Sequence, residues 1–123
     1  MNTPPTPLRL NAIYVDPEDE TETVLGEVAV SPDGQVSVIS AHQEHLGFLE
    51  EFANAVNQKA VLHVKTAPPP GAPMFQLRGR AYDRSDPKFV EGLKLWAGKY
   101  YALKLCTDEE RSQELKQLED LSL

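Results

Sequence analysis

Cysteine is nearly absent: Cys106 is the only one in 123 residues. No disulfide can form within the chain, so the fold must stand on its core, and a reducing, cytoplasmic setting is the expected location. Long apolar runs are also missing. Nothing approaches the ~20 apolar residues that span a bilayer, and MNTPPTP lacks the basic patch and apolar run of a secretory leader; no membrane partner is expected. No glycine-rich phosphate loop and no nucleophile elbow occurs, and the metalloprotease spacing HExxH is missing. No catalytic residues and no cofactor are therefore assigned.

Bases are scarce in a particular place. Residues 1–58 hold ten acids and one base, Arg9; residues 59–106 hold nine bases and three acids; residues 107–123 hold six acids and two bases. The total of −7 disfavours generic phosphate-backbone binding, which needs many cationic contacts. The segregated basic segment keeps a local anionic partner open. The competing account is that acidic and basic segments pair within the fold.

What is present suits one domain. Hydrophobic residues make up 41% and charged residues 25%, near ordinary globular values. Residues 1–7, with three prolines, read as a disordered tail, and residues 8–123 as one α+β domain including a C-terminal helix. Leu8–Val15 alternates, with Leu8, Leu10, Ala12 and Tyr14 on one face, and Thr23–Val30 comes next as a second strand. Gly26 within it marks a bulge or a close backbone approach. SPDG, Ser31–Gly34, is a hairpin turn leading to a third strand over Val36–Ser40. Ser40 with Gln43 predicts a capping box for a helix over residues 41–58, with a stripe of Leu46, Leu49, Ala53 and Val56 and with Phe52 at its edge. Val61–Thr66 is the next strand.

APPPGAP, Ala67–Pro73, predicts a stiff spacer. The chain is organised around the stretch Met74–Leu105: a strand carrying Phe75, Leu77, Arg78, Arg80 and Tyr82, a helix capped at Ser85 or Asp86 with Pro87 at its first position, and a strand over Tyr100–Leu105. Gly98 is the expected helix end. Thr107 with Glu110 predicts a second capping box, opening a helix with Leu115, Leu118 and Leu121 on one stripe. The order is β-β-β-α-β-β-α-β-α. It predicts a single antiparallel or mixed sheet of about six strands with two or three helices packed on one face.

Three constellations could carry chemistry. Arg78, Arg80 and Tyr82 alternate onto one strand face and Arg84 lies just beyond, a candidate anion site, since guanidinium forks suit carboxylates and phosphates. His42 and His45 share a helical face, and with His63 they are the candidate metal ligands, although the spacing matches no metal motif. Asp16–Glu22 clusters five carboxylates without the glycine and terminal glutamate of a calcium loop. Tyr100 and Tyr101 can set a hydroxyl near a pocket, and Cys106, ending an apolar strand, reads as buried packing.

Without a catalytic set, the leading expectation is a non-enzymatic interaction or assembly protein (a subunit, adaptor or inhibitor) with a protein partner or a second copy. Homodimerisation through a sheet edge or the last helix is compatible with it. The alternatives are a small-anion-binding or enzyme domain using Arg78 and Arg80, and nucleic-acid binding through the same row.

Overall fold

The computed structural model describes residues 7–66, 71 and 78–121, and the side chains of residues 66, 78 and 118–121 are not part of that description. The N-terminal tail through Thr6, most of the APPPGAP spacer, Phe75, Leu77 and the side chains of Arg78, Leu118 and Leu121 thus lie outside the described residues.

The chain is α+β in the expected order: β1 (Leu8–Val15), β2 (Glu22–Val30), β3 (Val36–Ala41), α1 (Gln43–Asn57), β4 (Val61–Thr66), β5 (Arg78–Asp83), α2 (Phe89–Tyr101), β6 (Leu103–Cys106) and α3 (Asp108–Leu121). The six strands divide where the pattern suggested one sheet. Four form an antiparallel sheet in the order β3-β2-β1-β6, and β4 pairs only with β5 in a separate ribbon. The physical reason is that α2 lies against both β6 and the ribbon. The ribbon sets Leu62, Val64 and Tyr82 against α2 rather than extending a ladder.

Local chemistry accounts for each join. The β2–β3 turn closes through Gly34 N–H to the Ser31 carbonyl at 2.9 Å, with Gly34 at φ 85°, a left-handed conformation that only glycine adopts without strain. At Gly26 the β3 backbone passes so close that a Cβ would collide with the Ser40 carbonyl, as the strand glycine suggested. β3 runs on through Ala41, so His42 occupies the N-cap without a side-chain hydrogen bond, and the expected Ser40 cap is replaced by strand pairing of Ser40 with Glu27. At the second capping box, Thr107 N–H donates to Glu110 Oε1 at 3.0 Å and Glu110 N–H donates to Thr107 Oγ1 at 3.1 Å. α2 begins at Phe89 rather than at Pro87, and Asp86 takes the Lys88 N–H at 2.8 Å in the preceding turn. It also runs past Gly98 to Tyr101 and stops at Ala102, which is left-handed at φ 53°.

The main core lies between the sheet and helices α1 and α2. Leu10, Ala12 and Val28 from the sheet meet Leu49, Phe52 and Val56 from α1 and Leu93 and Trp96 from α2. Leu46, expected in the stripe, is 39% exposed, and Phe52, expected at its edge, is fully buried. The stripe therefore keeps Leu49, Ala53 and Val56 and takes in Phe52 in place of Leu46. Phe52 meets the rings of Trp96 and Tyr101 at 6.0 and 5.3 Å between centroids; its truncation to alanine would cost about 3–5 kcal/mol. The opposite sheet face is covered near β6 by α3. Ile13 and Cys106 are buried there outside the main cluster, and Lys104, opposite Ile13 in the ladder, holds Glu114 of α3 at 2.6 Å.

Candidate functional site

The basic row does not act as a unit. Tyr82 is buried on the ribbon's inner face, where Gly92 of α2 leaves room for its ring. The Arg80 guanidinium lies 4.6 Å over that ring and 3.4 Å from Asp86 Oδ2, with its side chain 48% exposed. Arg84 points elsewhere: it donates to the carbonyls of Gly34, of Val56 (2.6 Å) and of Lys59 (2.8 Å). α1 has no basic residue in its own last turn, so Arg84 supplies from β5's end the cation that its carbonyl dipoles favour. One side chain thereby joins the β2–β3 turn, the end of α1 and the ribbon. The Arg84 fork faces main-chain oxygen, and Arg78's side chain lies outside the described residues.

Charge pairing between segments is real but local. Lys94 holds both carboxylate oxygens of Glu110 at 2.9 Å, and Lys104 bridges Glu22 at 3.3 Å and Glu114. The Thr107 backbone N–H, and next Lys94, holds the Glu110 carboxyl below its ordinary 4.5. Burial pushes the Cys106 thiol up, which fits packing rather than reactivity. In the acidic loop, Asp16 and Asp19 turn their carboxylates onto the N–H groups of Glu18 and Thr21. His42 and His45 stand 6.3 Å apart between ring centroids, and His63 is exposed on β4. Among the described residues, no group of three metal-ligating side chains converges.

A different surface gathers unpaired features. A groove runs between β4 and the C-terminal half of α2, lined by Lys59, Ala60, Val61, His63, Trp96, Tyr100 and Tyr101. Its floor grades from core to solvent: Trp96 is 6% exposed, and Tyr100, its ring tilted at 52° and centred 5.6 Å away, is 49% exposed. β4 has β5 on one side only, so its other backbone edge has no strand partner among the described residues. None of the lining residues is acidic. Lys59, Lys65 and Lys99, along the same margin, form no ion pair with a described carboxylate, and Lys99 donates to the Lys65 carbonyl.

Compared with known protein families, curated proteins and solved structures, the chain matches none. The site therefore rests on its own geometry.

The amino-acid pattern names three of the lining residues for other reasons. It allows Tyr100 or Tyr101 a hydroxyl near a pocket and singles out His63 as a candidate metal ligand on a partly buried strand, whereas His63 is exposed. It misses the groove itself, because it puts Tyr100 in the last strand. The helix carries Tyr100 one turn beyond Trp96, and that i, i+4 spacing brings the two rings into contact. The signal is present in the chain: aromatic and apolar residues at 89, 93, 96, 97, 100 and 101 keep helical period through the glycine at 98.

Proposed function

We propose that the protein is a non-enzymatic interaction module that binds another polypeptide in the groove between β4 and α2. The observation that carries this reading is the pairing of a strand edge without a partner among the described residues with an aromatic step from buried Trp96 to exposed Tyr100. Open edges present unpaired N–H and C=O groups that another chain can complete. Aromatic residues in a partly covered pocket are the usual anchors of protein interfaces. No helix among the described residues is long and apolar enough to cross a membrane, and a free, buried Cys106 suits a reducing cytoplasm.

Native mass spectrometry of the untagged protein from its own cells tests this. The expected result is a complex with a second polypeptide that is lost in Tyr100→Glu, a change at an exposed site that leaves the core intact. A monomer in both preparations overturns the reading. One observation favours a second copy as well: β3, the margin of the larger sheet, has the uncharged sequence VSVISA with Ile39 43% exposed, without the lysine or proline that usually guards an edge. A homodimer indifferent to Tyr100→Glu but lost in Ile39→Lys would assign assembly to β3 instead.

A further inference from the structure

The groove carries more than an open edge, and its chemistry selects an occupant. An incoming strand on β4 would alternate its side chains. One set would meet Trp96 and Tyr100, and the other would run along the exposed His63 and Lys65. Lys59 stands at one end of this margin, and Lys99, fixed on the Lys65 carbonyl, at the other. Lys59 thus lines the groove, Lys65 and Lys99 follow it along β4, no carboxylate is in the lining, and none of the three forms an ion pair with a described acid. This stands out in a chain with 19 acidic and 12 basic residues. Resting on the interaction reading, we propose that the groove takes an extended acidic peptide, alternating carboxylates with apolar residues, added as a third strand to the ribbon beside β4. Main-chain hydrogen bonds to β4 provide register, Tyr100 and Trp96 take the apolar side chains, and the lysines select for acid over base. A nucleic-acid strand would use the same rings and cations but leave the β4 edge unpaired, and the protein's net charge of −7 opposes it at long range.

Trp96 is the only tryptophan and lines the groove, so its emission reports occupancy in the intact protein. The probes are a terminally blocked heptapeptide alternating glutamate and valine, its lysine–valine counterpart, the glutamate peptide N-methylated at alternate residues, and oligothymidylate. The expected result is a saturable emission change with the glutamate peptide. Binding should be at least tenfold weaker for the lysine and N-methylated peptides, and should weaken as salt screens the exposed charges. The double variant Lys59→Glu, Lys65→Glu should reverse the charge preference, and Tyr100→Ala should weaken binding at least tenfold, with unchanged circular dichroism in both. No saturable response at millimolar peptide, or equal binding of the lysine peptide, overturns the acidic occupant. Equal binding of the N-methylated peptide overturns strand addition, and tighter binding of oligothymidylate reassigns the groove to nucleic acid. If the native complex depends on Tyr100 while the acidic peptide fails to bind, the interaction reading stands and this occupant falls. If the complex ignores Tyr100 as well, both fall.

Discussion

Arg84 and Lys59 sit at the same end of the ribbon, and they use their charge in opposite ways. Arg84 reaches inward and donates to the carbonyls of Gly34, Val56 and Lys59 itself. Lys59 is exposed in the lining of the groove and forms no ion pair with a described carboxylate. The basic stretch is therefore two populations. One holds the framework together: Arg84 at the helix end, Lys94 and Lys104 clamping α3. The other is left facing water beside aromatic rings. A cation that satisfies main-chain oxygens in partly buried surroundings is difficult to remove, whereas a solvated lysine can be exchanged with little effect on the fold.

The sharpest way to break the comparison is Arg84→Ala. It leaves three carbonyls without their shared donor, and stability should fall by about 3 kcal/mol, read by urea denaturation. A loss near zero would place Arg84 with the solvated group. Gly92→Ala attacks the same framework from α2, because a Cβ there overlaps the Tyr82 ring. Overpacking of this kind costs about 1–3 kcal/mol, and calorimetry should show a lowered melting temperature.

Next in size is the α3 clamp. The Glu110 carboxyl is held below its ordinary value, so its contribution is complete above pH 4.5 and is lost as pH falls through the lowered folded-state value. Glu110→Gln should be less stable than the parent at pH 7, and the gap should close in acid. A gap that persists at pH 2 would mean the charge is not what Thr107 and Lys94 recognise. The smallest effect belongs to the open side: Lys59→Glu with Lys65→Glu should change stability by less than about 0.5 kcal/mol. A large loss would show that these lysines, too, belong to the framework.

The same comparison explains what is legible in the chain itself. Patterns that depend on near neighbours can be read there: the Ser31–Gly34 turn and the reciprocal Thr107–Glu110 bonds. Each is decided by a few adjacent residues. Arg84's role cannot, because its partners lie 25, 28 and 50 positions away. A row of alternating Arg and Tyr looks identical whether its side chains face solvent or a helix glycine. The boundary between β3 and α1 is misplaced for a related reason: Ser40 suits a cap by its chemistry, but pairing with Glu27 across the sheet competes for the same backbone. The groove combines both cases, with Tyr100 legible by helical period and β4's open edge visible only once the ribbon is separate from the sheet.

The central position of β1 has a consequence for the order of events as the chain is made. β1 pairs on one side with β2, its immediate successor in the chain, and on the other with β6, where Asn11 donates to the Cys106 carbonyl across 95 positions. At synthesis rates of about 5–20 residues per second, roughly 5–20 s separate the appearance of these two strands. Throughout that interval a nascent β1 has one satisfied margin and one vacant one, and the loop that must close spans 95 positions. Final assembly of the larger sheet thus waits for β6 to emerge, and a chain cut short before Leu103 leaves the ribosome with β1 half paired.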